Sequence, residues 1–212
     1  MKPTTITFFG NFGTRNLGNE WTLQAMIENA RAYVPTARMK CVCTNPQETS
    51  GTHGITAFPM SYRFGEASTL LTRTYRNPVI RLVRRLLFRI PLEVVDWLKA
   101  FRTLKGTTML VMTGTGMLSD FGIGPLDLHY EILKWAILAK VRGCKVLFVS
   151  VGVGPLAHSL SRWIVKRALS LADYRSYRDT FSRQYLESIG FNASADRVYP
   201  DLAFSLVSSQ TL

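Results

Sequence analysis

Three times along this chain an apolar or β-rich run ends at glycines that open a helix, and this order leaves few ways to bury the apolar faces. The β-rich stretch at residues 4–9 runs into a loop over Gly10 to Gly18. Glu20 to Tyr33 follows, with Trp21, Leu23, Ala25, Met26, Ile27 and Ala30 at helical spacing. Thr107 to Met112 is a nearly continuous apolar run suited to a strand buried on both faces, and after Gly114 and Gly116 a helix is predicted over about Leu126 to Val141. Lys145 to Val151, the turn Gly152-Val153-Gly154-Pro155 and a helix over Ser161 to Leu171 repeat the order at once. Shorter strands are predicted at Arg38 to Cys43, Tyr174 to Tyr177 and Arg197 to Tyr199, a helix at Thr180 to Ile189, and a loop over Asn45 to Gly54. The alternation predicts an α/β fold with a doubly wound, mostly parallel sheet.

Length and composition fit that reading. The 212 residues are 47% hydrophobic and 19% charged, enough for one domain burying roughly 70% of its unfolded surface. We place that domain at residues 1–206, with 207–212 a polar tail or truncated linker. Three cysteines exclude a disulfide scaffold. Cys41 and Cys43, two apart in a strand, point to one face, and no Cys/His cluster has zinc-ligand spacing, so all three are expected as core thiols and no metal site is expected. The opening MKPTTITFFGNFG lacks the charged and apolar regions of a secretory signal, and no apolar run is long enough to span a bilayer, which predicts a cytoplasmic location.

Charge narrows the partners. Lys and Arg number 26 against 14 Asp and Glu, a net +12, so the surface should attract anions. Residues 63–105 form the compositional outlier, read here as a basic helical insertion with ten Lys/Arg against three Asp/Glu. On a helical wheel Arg81, Arg84, Arg85 and Arg89 gather on one side, with Ile80, Leu82, Val83, Leu86, Leu87 and Ile90 opposite, and Pro91 is expected to end that helix. Two readings follow: a solvated basic face, or peripheral contact with an anionic membrane at the inner face of the cell through the helices of 77–105. Nucleic acid is excluded as a partner, because no recognition module or interleaved aromatic-basic pattern accompanies the charge.

In a parallel sheet the carboxyl ends of the strands share one edge, so the loops Gly10–Gly18, Gly114–Gly116 and Gly152–Gly154 should meet over one crevice. Glycines there admit close backbone approach to an anion, helped by helix N-termini, although each glycine alone could serve only its own turn. Gly152 to Ala157 formally fits a dinucleotide fingerprint with Asp173 about 20 residues on, but that fingerprint belongs to the first strand of such a fold. No Walker A, zinc-protease or G-x-S-x-G motif is present.

Five short motifs, in order, resemble those of the polysaccharide pyruvyl transferases. Gly13-x-x-Asn16-x-Gly18-Asn19-Glu20 is similar to the family's G-x-x-N-x-G-D-E, with Asn19 where the family has Asp. Thr113-Gly114-Thr115-Gly116 with Leu118 and Asp120 resembles its G-G-G-x-L-x-D turn, and Ser150 to Leu156 its V-G-x-G-P segment. Arg178-Asp179-Thr180-x-Ser182 through Leu186 and Gly190 resembles its R-D-x-x-S helix, and Pro200-Asp201-Leu202-Ala203-Phe204 its P-D-x-A-F. The resemblance implies the N-terminal, Rossmann-like half of a GT-B-type fold. A second domain, which in the family carries a catalytic His and Arg, would come from further chain, a partner or a homo-oligomer.

Function follows from the same resemblance. It implies phosphoenolpyruvate as donor substrate, with no other cofactor, and as acceptor a lipid-linked or polymeric saccharide of a cell-surface polysaccharide that receives pyruvate as a ketal. On this reading Arg178, Gly114, Gly116, Gly152 and Gly154 bind the donor, since a guanidinium can pair bidentately with carboxylate and phosphate. Asn16, Gly18 and Asn19 bind the acceptor, and Glu20 is the catalytic candidate, either as base or as a first-turn helix carboxylate. Arg178 could instead pair with Asp179 or Asp201 to tie its loop. His53, His129 and His158 are expected as ordinary surface or loop residues. Two other functions stay open: a nucleotide-sugar glycosyltransferase of GT-B type, and a non-catalytic anion-binding half-domain.

Overall fold

The computed structural model describes the backbone over residues 4–62, 90–114, 116–120 and 124–209. Its elements run β1 (Thr5–Gly10), α1 (Leu17–Tyr33), β2 (Arg38–Cys43), α2 (Pro46–His53), β3 (Thr56–Pro59), α3 (Ile90–Thr103) and β4 (Met109–Met112). They continue with α4 (Leu128–Val141), β5 (Lys145–Val151), α5 (Ser159–Ser170), β6 (Tyr174–Tyr177), α6 (Thr180–Ser188), β7 (Arg197–Val198) and α7 (Phe204–Ser209). The strands pair in parallel in the order β3-β2-β1-β4-β5-β6-β7. This is the doubly wound sheet that the alternation predicts.

Burial follows the sequence pattern. β1 is buried at every position, and its neighbours Phe8 and Phe9 enter different cores. Phe8, Ile6, Cys41, Cys43 and Val111 pack with Leu23 and Ile27 of α1. Phe9, Leu110, Met112 and Phe148 pack with Trp135 and Ala136 of α4 and with Ala168 and Leu169 of α5. All three cysteines are free and buried, as expected.

One local expectation changes, and two further elements appear. Asn45 to Gly54 contains a helix, because Asn45 caps it by accepting the Glu48 N–H at 3.3 Å, Pro46 is pre-set for its first turn, and Gly54 closes it at φ 64°. β3, for which Thr-Ala-Phe-Pro gives no clear alternation, forms an edge strand ending in proline. The helix that Pro91 is expected to end lies outside the described residues, and from Ile90 the chain is helical to Thr103. Residues 207–209 belong to α7. The arginine cluster of 81–89, residues 63–89 of the basic insertion and Thr115 lie outside the described residues.

Two of the three histidines also depart from expectation. His53 and His129 are buried, whereas His158 is exposed at the start of α5. Burial holds the His129 imidazole below its ordinary range, against the opposing pull of the Asp120 carboxylate at 3.6 Å. In the unfolded chain this ring takes up a proton near pH 6.5 that the folded form refuses, so acidification through that range favours unfolding. Urea midpoints should therefore fall between pH 7.5 and 5.5, and the fall should be shallower in His129→Gln. An unchanged slope in that variant would refute the assignment.

A buried ion cluster joins α3 to α4. Lys134 Nζ lies 2.5 Å from both Asp96 Oδ2 and Glu131 Oε2, with all three side chains essentially excluded from solvent. Asp96 also accepts the Tyr62 N–H at 2.6 Å. Beside the cluster, the Tyr130 hydroxyl donates to Glu93, and Trp97 Nε1 donates to the Tyr130 hydroxyl at 2.8 Å. Both carboxylates of α3 are thereby drawn towards α4.

Candidate functional site

The strand order reverses direction between β1 and β4, and in such sheets ligands bind beyond the carboxyl ends of the strands near that point. The backbone there is closely packed. A Cβ on Gly10 would lie 2.5 Å from the Phe12 ring and 2.6 Å from the Thr113 carbonyl oxygen, so only glycine lets the two loops meet. Gly13, at φ 75°, leaves no room beside the Asn45 carbonyl, where a Cβ would stand at 2.4 Å.

The first loop is held mainly by its own side chains. Asn16 caps α1, its Oδ1 accepting the Asn19 N–H at 3.4 Å, and Asn19 is buried with its Nδ2 donating to the Asn11 carbonyl at 3.1 Å. The Gly18 carbonyl accepts the Thr22 hydroxyl at 2.7 Å. Glu20 has both carboxylate oxygens engaged. Oε1 accepts the Gly13 N–H at 2.8 Å, and Oε2 faces His53 Nε2 at 3.1 Å, while His53 Nδ1 faces Gln24 at 3.0 Å. Work as a base would require Glu20 to leave those partners.

The second and third glycine loops are joined to each other. Leu118 and Val153 form a parallel bridge beyond the ends of β4 and β5, with Gly154 N–H donating to Leu118 at 3.0 Å. A Cβ on Gly154 would meet Ser119 Cβ at 2.7 Å. Gly114 and Gly116 serve conformation instead, at φ 143° and 68°, with no atom closer than 3.9 Å to where their Cβ would be. Asp120 ties the turn to α5 by accepting the His158 N–H at 2.9 Å.

Arg178 follows β6 directly, at the same edge. Its side chain lies across Gly152, where a Cβ would stand 2.7 Å from Nε and 2.9 Å from Cζ. Nε donates to Asp179 at 3.2 Å, one of the two pairings considered from sequence. Asp179 also caps α6, accepting the Ser182 N–H at 2.6 Å. Burial pushes the Asp179 carboxyl up, but that N–H and the Arg178 guanidinium outweigh it and hold the group below its usual range. Arg178, Asp179, Val198, Pro200, Asp201 and Phe204 line an open pocket of about 490 Å³. Asp201 turns to α1, accepting the Thr22 hydroxyl at 3.2 Å and the Ala203 N–H at 3.0 Å.

Contacts thus run from the first loop to Thr113, from Leu118 to Val153 and from Gly152 to Arg178, so the three glycine loops and the guanidinium share one edge as expected. Sequence reasoning missed that Gly152 and Gly154 each make room for a neighbouring side chain, Arg178 and Ser119. It also missed Ser150, which bends β5 at φ 46° before the glycine turn, within a register shift between Phe148 and Val151. No pattern in the sequence marks that residue. Among the described residues no group of three or more His, Cys, Asp or Glu could hold a metal.

The model of the family described as polysaccharide pyruvyl transferase matches residues 16–211. No curated protein sequence matches the chain. Among solved structures, Anabaena HepE in complex with UDP and glucose is similar at 14% identity and a TM-score of 0.51, over 92% of this chain and 44% of that one. The S. aureus MnaA–UDP co-structure has 13% identity, a TM-score of 0.48, and 92% and 43% coverage. A 2-epimerase-like structure from Listeria monocytogenes, described as a putative UDP-N-acetylglucosamine 2-epimerase, has 8% identity, a TM-score of 0.47, and 90% and 43% coverage. The HepE likeness supports the fold alone, and the chain spans less than half the length of each of these structures.

Proposed function

The chain belongs to the polysaccharide pyruvyl transferase family, and on that premise we propose that it forms the donor-binding half of an enzyme moving pyruvate from phosphoenolpyruvate onto a saccharide as a ketal. The observation that carries this reading is Arg178, spread over Gly152 at the mouth of the pocket. A guanidinium there can pair bidentately with the donor's carboxylate or phosphate.

Protonation of the donor's methylene carbon makes C2 electrophilic. One acceptor hydroxyl adds to C2, phosphate leaves, and a second hydroxyl closes the ketal. Within this scheme Arg178 holds the donor anion while Gly114, Gly116, Gly152 and Gly154 shape the turns around it. Asn16, Gly18 and Asn19 form the acceptor wall, and Glu20 secures the Gly13 corner beside them. We assign no proton transfer to His53 or His129, which are buried in packing. The proton donor would come from the family's second domain, closing over the same edge.

Calorimetric titration tests the reading directly. The protein should bind phosphoenolpyruvate and lose that binding in Arg178→Ala. Binding of UDP, with none of phosphoenolpyruvate, would overturn it in favour of a nucleotide-sugar glycosyltransferase.

A further inference from the structure

Outward from the ion cluster, α3 presents an apolar stripe to solvent. Ile90, Val94, Val95 and Leu98 are each about half exposed, at 53, 52, 45 and 51%. At about 100° per residue they occupy one side of the helix, with Arg102 among them and Lys99 at the margin. The opposite side carries Asp96 and Ala100, both buried, and Leu104 just beyond the helix is buried too. Because Asp96 is committed to Lys134, and Glu93 to Tyr130 and Trp97, the helix's acidic groups are turned away. What faces out is apolar and cationic.

We propose that this face of α3 seats on the surface of an anionic lipid bilayer. Fourteen residues make about 21 Å of helix, short of the roughly 30 Å hydrocarbon core, so α3 can lie in the interface but not cross it. No helix among the described residues is long and apolar enough to span. Charge selects the occupant. Residues 63–105 carry ten Lys/Arg against three Asp/Glu in a chain of net charge +12, so a second copy would bring like charges together, whereas acidic headgroups are complementary. As α3 leads into β4 it runs against the strands, so its Ile90 end lies at the edge that holds the Arg178 pocket. A membrane seated there would bring lipid-borne material to the site.

This inference does not depend on the donor assignment, and its test is separate. Co-sedimentation of the 212-residue protein with phosphatidylcholine vesicles should be weak, and vesicles containing phosphatidylglycerol should bring it down. Val94→Glu with Leu98→Glu, both at exposed positions, should reduce that binding about tenfold or more. A folded double variant that binds as the wild type does would overturn the proposal. In case that variant fails to fold, Leu98→Cys carrying an environment-sensitive fluorophore gives a second reading, since Cys41, Cys43 and Cys144 are buried. A blue shift on phosphatidylglycerol vesicles supports insertion. Emission already blue without lipid would show the face covered by protein, its own or a second copy's, and would overturn it.

Discussion

Gly152→Ala should weaken phosphoenolpyruvate binding by about 10- to 100-fold while leaving the protein folded, which is about what losing one or two hydrogen bonds to a charged group costs. The added methyl would stand 2.7 Å from Arg178 Nε, 2.9 Å from Cζ and 3.2 Å from Cδ, so the guanidinium must swing aside. Those atoms belong to the far end of a flexible side chain, and Gly152 is not among the positive-φ glycines, so the backbone accepts alanine. Fold and site therefore respond differently to one methyl group. Titration gives the affinity, and thermal unfolding within a few degrees of wild type confirms the fold. Arg178→Lys separates charge from shape: it keeps the cation, loses the planar fork, and should fall between wild type and Gly152→Ala. Wild-type affinity in Gly152→Ala would remove Arg178 from the donor site.

The second large effect is on stability. Lys134→Met should cost about 3–5 kcal/mol, because it removes the buried ammonium that lies 2.5 Å from both Asp96 and Glu131. Desolvated carboxylates are expensive, and a thioether offers neither charge nor a hydrogen-bond donor. Adding Asp96→Asn and Glu131→Gln should recover part of the loss, because two buried negative charges go while the Tyr62 N–H keeps an acceptor. Urea unfolding of the single and triple variants measures both. A single-variant loss below about 1 kcal/mol would mean that the cluster is hydrated and open.

How far the sequence could be read depended on the kind of signal. The buried strands Thr5–Gly10, Met109–Met112 and Lys145–Val151 were legible because an apolar run between glycines has few alternatives. α2 was not, since Pro46-Gln47-Glu48-Thr49-Ser50-Gly51 has the composition of a loop and becomes helical through its caps, Asn45 and Gly54. His53 and His129 looked like surface residues because nothing local marks a partner 33 positions away, such as Glu20, or a helix that folds back over Asp120. Lys134 and Asp96 are 38 positions apart. Helical periodicity alone would place a lysine such as Lys134 outside.

The amino-acid order by itself determined the class of fold, the edge at which the glycine loops gather, and the family motifs, because each rests on short-range pattern or on chain direction in a parallel sheet. Tertiary structure alone decided which atoms meet at that edge. It laid Arg178 over Gly152, engaged both oxygens of Glu20, and turned the carboxylates of α3 inward so that its apolar stripe faces out. The physical reason is range: turn and helix preferences act over a few residues, whereas steric exclusion and ion pairing act between groups that only the folded chain brings together.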